Sequence, residues 1–230
     1  MKILALETSC ERGSVALFWD GRLWEITLDG HANHSERILS VIANLLQDAG
    51  LSFSQLDAIA FGAGPGAFTG VRLACGVAQG ISLARGTPLV AVGSLDALAL
   101  DAPDGAVLTL TDARMGEVYC AAYQVRAGRI EQTRAPACLP PENLFCPPGD
   151  AWWAIGSALG AYASRLPAQL LGHLAGQSPE AVPRAQRIAQ LAIHALERGE
   201  AVDATRAAPL YVRDKVALTT AERLFRGGQA

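Results

Sequence analysis

The apolar residues of the first ninety positions change period several times. Ile3 to Leu6 form an unbroken apolar run, the pattern of a strand buried on both faces. Residues 14–19 (SVALFW) and 22–28 (RLWEITL) flank Asp20-Gly21. Both of those residue types tolerate positive φ, so the pair predicts a tight hairpin. From Ser35 to Ala49 the residues Ile38, Leu39, Ile42, Leu45, Leu46 and Ala49 recur at helical spacing. Asn33 followed by Glu36 fits a capping box at that helix's start. A short strand (LDAIAF, residues 56–61) follows, then a glycine-rich loop, a helix over Thr69–Ala84 with Thr69 as its cap, and a strand (PLVAV, residues 88–92). The order is three strands, helix, strand, helix. A strand-helix-strand passage of this kind requires parallel pairing through a right-handed crossover.

The second half resembles the first. Residues 109–131 (TLTDARMGEVYCAAYQVRAGRIE) can be laid on residues 5–25 (ALETSCERGSVALFWDGRLWE). Each has an acid at a strand end, Glu7 or Asp112, then a short loop and a glycine, Gly13 or Gly116. Each continues into a second strand and a Gly-Arg-apolar turn. A repeat of roughly a hundred residues predicts two similar lobes rather than a solenoid. The rest of the second lobe is less regular: a loop over residues 139–150, a strand over 152–156, a helix over 157–166, and a last helix from Pro179 to Glu197. The expected division is a first lobe over residues 1–102, a second over 103–215 and a tail over 216–230.

Composition narrows the function. Half of the 230 residues are hydrophobic, enough for genuine cores. No apolar run approaches the ~18 residues of a membrane span, and the first residues lack the basic and cleavage regions of a signal peptide, so a cytoplasmic protein is expected. The five cysteines, Cys10, Cys75, Cys120, Cys138 and Cys146, contain no C-x-x-C pair and suit reduced thiols. The net charge is −3, and lysine occurs only at positions 2 and 215. Arginines gather in the last fifty residues with acids mixed among them, which reads as a solvated helix surface rather than a nucleic-acid face.

The stretch FGAGPGAFTGVRLACGVAQG (residues 61–80) carries six glycines. It lacks the lysine of a Walker loop. Gly62, Gly64 and Ala67 match the dinucleotide fingerprint, but the next strand ends without the acid that would hold a ribose. Within the helix, Gly76, Gly80 and Ala84 recur every four residues. Interior glycine costs about 0.5–1 kcal/mol relative to alanine, so this smooth stripe implies that another backbone approaches closely, either inside the lobe or across an interface. Other candidate chemistry is thin. His31 and His34 find no third ligand to complete a metal set, and His173 and His194 are isolated. Ser9 and Cys10 have no nucleophile-elbow glycines around them. Glu7 and Asp112 are the best-placed acids: they could hold magnesium-bound phosphate or activate water, or they could simply cap the loops that follow them.

The segments MKILALETSCERGSVAL, HSERIL, GAGPGAFTGVRLACGVAQG, VGSLDALA, DARMGEVY and PLYVRDKVA together resemble the bacterial TsaB (YeaZ) family, over Met1 to about Ala217. The resemblance implies an α/β chain with the two-lobed actin-like ATPase fold of sugar kinases, heat-shock chaperones and actin, a duplicated βββαβα. It implies a non-catalytic paralogue of TsaD, the subunit that transfers a threonylcarbamoyl group to the adenosine 3′ of the tRNA anticodon. TsaD holds its metal partly through an H-x-x-x-H motif, and His31 and His34 stand at the wrong spacing for one. The implied partners are TsaD, the ATPase TsaE, a second copy when TsaD is absent, and tRNA only through the complex; no cofactor and no membrane are implied. The implied pairing surface comprises Ile38, Leu39, Ile42, Leu46, Thr69, Arg72, Leu73, Gly76, Val77, Gly80 and Ala84. Glu7, Thr8, Gly13, Asp112, Arg114 and Gly116 would be the remnant of a nucleotide site. One rival reading is a small enzyme of the same fold, a kinase or a peptidase-like hydrolase, using Glu7 and Asp112; a second is a self-contained dimeric binding protein with no link to tRNA.

Overall fold

The computed structural model describes residues 1–28, 34–145, 148–149 and 151–213. Cys146, the cap residue Asn33, His31 and the tail over 216–230 lie outside the described residues.

The first sheet has strands β1 (Lys2–Glu7), β2 (Gly13–Trp19), β3 (Arg22–Leu28), β4 (Ala58–Gly64) and β5 (Leu89–Gly93) in the order β3-β2-β1-β4-β5. β1, β2 and β3 pair antiparallel, and β1, β4 and β5 pair parallel. Helices α1 (His34–Asp48) and α2 (Phe68–Arg85) make the two crossovers. The second sheet has β6 (Gly105–Arg114), β7 (Glu117–Arg126), β8 (Arg129–Leu139), β9 (Trp152–Ile155) and β10 (Leu174–Ser178) in the order β10-β9-β6-β7-β8. Read from the other edge, this is the topology of the first sheet. The duplication seen in the sequence is therefore a duplication of the fold. Among the described residues the second copy lacks long crossover helices. A 3-10 turn at Pro141–Asn143 stands where α1 stood, and α4 (Ala158–Ala161) and α5 (Ala168–Gly172) stand where α2 stood. The strand β10 and the helix α5 escape a periodicity reading because each is only five residues long. The tight turns obey the same rule in both lobes: Asp20 and Gly21, and Ala127 and Gly128, all have positive φ.

Alternation along β1 divides the first lobe into two cores. Leu4 and Leu6 face α1 and α2, and join Ile38, Ile42, Leu46, Ile59 and Phe61. Ile3 and Ala5 face the opposite way, onto α6 (Ala185–Glu197), through Ile188, Ala189 and Ala192. This corrects the expected lobe division. The segment after Ser178 returns to the first sheet, because that sheet has two apolar faces and α1 and α2 cover only one. The last helix is also shorter than expected, starting at Ala185 rather than Pro179.

A short helix, α3 (Ser94–Ala99), joins the lobes. Leu95, Leu98 and Ala99 pack with Val107, Tyr123 and Ile155 of the second sheet, and the Tyr123 hydroxyl donates to Asp96 at 2.7 Å. Beyond α6, the segment over residues 201–213 runs back along the first lobe. Val202 bridges Leu89, and the Leu210 N–H donates to the Ala63 carbonyl at 2.7 Å. It ends on the second lobe, where Arg213 pairs with Glu117 at 2.6 Å and donates to the Ala113 carbonyl at 3.0 Å. Among the described residues no helix is long and apolar enough to cross a membrane.

Candidate functional site: the glycine loop, the interlobe cleft and an open helix face

The glycine loop is filled by protein backbone. Glu7, Thr8 and Ser9, at the end of β1, lie directly against it. A Cβ on Gly62 would overlap the Glu7 carboxylate, one on Gly66 would overlap Ser9, and one on Gly70 would overlap the Thr8 carbonyl. The Ser9 carbonyl accepts the Ala67 N–H at 2.7 Å, and the Thr8 hydroxyl donates to the Gly70 carbonyl at 2.7 Å. These bonds also correct the expected cap of α2. The helix starts at Phe68, one residue before Thr69, with Ala67 at the N-cap and no side-chain cap bond.

Glu7 is fully buried. Its Oε1 accepts the Ser9 N–H at 2.6 Å and its Oε2 accepts the Ser94 hydroxyl at 2.8 Å. Burial raises its pKa above the ordinary carboxylate value, and the hydrogen bonds from Ser9 and Ser94 only partly oppose that. Asp112 repeats the motif one lobe later: its Oδ1 accepts the Arg114 N–H at 2.7 Å, two residues on, and the Tyr162 hydroxyl at 2.7 Å, while Oδ2 pairs with the Arg114 guanidinium at 3.2 Å. Both acids therefore cap the loops that follow them.

Between the lobes lies a cleft of about 640 Å³. Thr8, Asp112 and Arg114 reach it; Glu7, Gly13 and Gly116 do not line it. That corrects the expected six-residue nucleotide remnant. Glu7 is sealed behind the glycine loop, Gly13 packs beside the Glu7 carbonyl and the His34 ring, and Gly116 supplies a positive φ of 79° at the β6-β7 turn. The residues present do not fit a magnesium-bound triphosphate. The loop that would cradle it is occupied by Thr8 and Ser9, and Asp112 already has its partners. Burial and the nearby Glu7 push the Cys10 thiol up to about 11, away from the thiolate at neutral pH. His34 points a ring nitrogen at the Cys10 carbonyl, 3.0 Å away, and no group of three metal-ligating side chains occurs among the described residues. The cleft mouth is instead aromatic and apolar. Phe68, Met115, Leu210 and Tyr211 are exposed around it, and the Arg72 guanidinium stacks 3.7 Å from the Phe68 ring while its Nε donates to the Tyr211 hydroxyl at 2.8 Å.

The second feature is α2 itself, which carries two small-residue stripes. Gly70, Ala74, Ala78 and Ser82 are buried, and they let the helix lie close on the sheet beneath it. Gly76, Gly80 and Ala84 face outward. A Cβ on Gly76 or Gly80 would meet none of the described residues within 4 Å. Close packing within the lobe therefore accounts for the first stripe and not for the second. With Leu39, Phe53, Arg72, Leu73, Val77, Ile81 and Arg85, the outward stripe lines a shallow groove of about 610 Å³, beside which Leu39 is 60% exposed. Four residues of the expected pairing surface do not line this groove. Ile38, Ile42 and Leu46 are turned inward and consumed by the core under α1, so they have no area left for a partner. Thr69 is exposed but lies at the cleft.

Two outcomes follow. Gly70→Ala and Gly76→Ala make the same change in the same helix and are expected to have opposite signs. The first destabilises by about 1–3 kcal/mol through overpacking; the second stabilises by about 0.5–1 kcal/mol, because no contact opposes the gain in helix propensity. Urea unfolding of the isolated chain reads both. Glu7→Gln tests the buried acid. A carboxylate raised in the folded state contributes stability below its unfolded pKa and loses it as pH rises through the folded one. The melting temperature of the parent relative to Glu7→Gln should therefore fall as pH rises above 4.5, the ordinary value.

A family model described as TsaD, tRNA N6-adenosine threonylcarbamoyltransferase, matches residues 29–221. The chain is 34% identical to the tRNA threonylcarbamoyladenosine biosynthesis protein TsaB of Escherichia coli (strain K12), covering 94% of this chain and 96% of that protein. It is 33% identical to the TsaB protein of Haemophilus influenzae, covering 94% and 95%. Among solved structures, YeaZ from Pseudomonas aeruginosa superimposes with a TM-score of 0.84 at 39% identity, covering 91% of this chain and 99% of that one.

Proposed function

The chain belongs to the TsaB (YeaZ) family and has its two-lobed actin-like fold, and from that premise we propose that it is a docking subunit of the machinery that makes threonylcarbamoyladenosine in tRNA. Its place in that biosynthesis comes from the relatives' shared name. The finer reading is that it contributes no chemistry, seats a TsaD-type catalytic subunit on the outward face of α2, helps to recruit TsaE, and acts in the cytoplasm.

One observation carries this reading: the open stripe of Gly76 and Gly80 beside exposed Leu39. Two interior glycines weaken a helix by about 1 kcal/mol each, and among the described residues nothing makes use of the space they leave. A partner helix can use it, because small residues let two helix backbones approach closely. Leu73, Val77 and Ile81 are half-buried along the same groove and supply apolar area at the contact. A fully buried aliphatic side chain contributes roughly 1.5–3 kcal/mol, so a few such anchors suffice for a stable complex. The same surface could hold a second copy when TsaD is absent. The rival enzyme reading gains no support from the cleft, where Glu7 is sealed away and Asp112 is engaged.

Gly80→Leu fills the groove without touching the core. Binding to a TsaD-type partner is expected to weaken at least ~10-fold, corresponding to loss of about 1.4 kcal/mol. Threonylcarbamoylation of tRNA in a reconstituted system should fall with it, while circular dichroism of the isolated variant stays unchanged. Full binding and full modification by a folded Gly80→Leu variant contradict the assignment.

A further inference from the structure

The mouth of the interlobe cleft is apolar, and the described residues end at it. Of the eight large apolar side chains exposed among the described residues, four surround this one opening: Phe68, Met115, Leu210 and Tyr211. A monomeric protein rarely leaves so concentrated an apolar patch bare. Arg213, the last described residue, also lines the cleft, and its Nη1 donates to the Met115 sulfur at 3.7 Å. Residues 214–230 (DKVALTTAERLFRGGQA) therefore leave from the mouth itself. Their sequence has the pattern of one short amphipathic helix. Ala217, Leu218, Ala221, Leu224 and Phe225 fall at i, i+1, i+4, i+7 and i+8, a single apolar stripe. Thr219 and Arg223 fall opposite it. Asp214 is a helix-starting residue, and Arg226 followed by Gly227 is a stop signal. A helix between those signals runs about 18 Å.

We infer that the chain's own tail covers this mouth, laying the stripe of Leu218, Leu224 and Phe225 on Phe68, Met115, Leu210 and Tyr211. Tethering favours this occupant over a separate chain. A segment anchored at the rim meets the opening at an effective concentration in the millimolar range, so a weak apolar contact suffices to hold it. A separate chain has no such tether and must first displace the tail. The chemistry also matches: the tail brings an apolar stripe to an apolar opening and keeps its threonines and charges in water. The contact is autoinhibitory. Covered, the cleft takes no outside ligand; uncovered, it offers an aromatic and apolar surface to one. Gly76, Gly80 and Ala84 do not line the cleft, so this covering is independent of what the outward face of α2 binds.

Oxidation of Met115 by dilute hydrogen peroxide, followed by peptide mass spectrometry on the full chain, reads the covering, with Met1 as the exposed reference. Met115 is 68% exposed and Met1 53% exposed when the described residues alone are counted, so a bare mouth gives similar rates. A tail in place about nine-tenths of the time slows Met115 about 10-fold, because only the open form reacts. Replacing both apolar anchors, Leu224→Asp with Phe225→Asp, should abolish that protection. Thr219→Asp, opposite the stripe, should keep it. Near-ultraviolet circular dichroism equal to the parent's separates an opened mouth from unfolding; where the double variant loses that signal, Leu224→Ser is read in its place. Met115 reacting as fast as Met1 in the parent overturns the inference, as does protection that survives loss of the anchors. Protection that grows with protein concentration also overturns it, because the cover would then be a second copy.

Discussion

The end of β1 lies on the start of α2 with no side chain between them, and the rest of the first lobe follows from that contact. Gly62, Gly66 and Gly70 exist at those positions because Glu7, Thr8 and Ser9 occupy the space a Cβ would need. The contact fixes where α2 begins and how it is rotated about its axis. Once the rotation is set, Gly70, Ala74 and Ala78 must face the sheet, and Gly76 and Gly80 must face away. The same contact removes the phosphate cradle that a glycine-rich loop before a helix would otherwise provide. One packing choice thus fills the glycine loop with backbone and leaves one helix face open.

The two lobes have diverged in a consistent direction. The first keeps long crossover helices, two apolar sheet faces and the returning helix α6. The second keeps the five-strand topology but replaces its helices by short turns. The acids at the ends of β1 and β6 survive in both as acceptors for the N–H two residues on. Their matched placement reflects the duplicated fold, and their matched bonding is structural. What joins the lobes is α3 and the segment ending at Arg213, whose ion pair with Glu117 closes one side of the cleft. Tyr211, on that segment, also holds Arg72 at the groove's edge, so the cleft and the groove share a residue cluster.

Much of this was legible in the residues. The Asp20-Gly21 hairpin, the strand and helix order of the first lobe, the duplication and the unusual stripe on α2 can all be read from pattern and turn chemistry. Three things could not be read. Periodicity marks α1 as amphipathic, yet it does not say that one apolar stripe would consume Ile38, Ile42 and Leu46 completely and leave Leu39 as its one large apolar side chain outside. It marks the helix near residue 190 as apolar on one face, but nothing local says that this face belongs to the first sheet rather than the second. And no motif announces that Thr8 and Ser9 fill the glycine loop, because that contact joins residues about sixty positions apart. The Arg72–Phe68–Tyr211 cluster escaped for the same reason.

The central claim is that the partner sits on the outward face of α2 and not in the interlobe cleft. Photo-crosslinking within the reconstituted complex tests it directly, with a diazirine leucine analogue at position 39, beside the groove, and a diazirine methionine analogue at position 115, at the cleft mouth. Both analogues are close to the natural side chains in size, so neither site is blocked. The account predicts crosslinks to the TsaD-type subunit from position 39 and none from position 115; crosslinks from position 115 alone would contradict it.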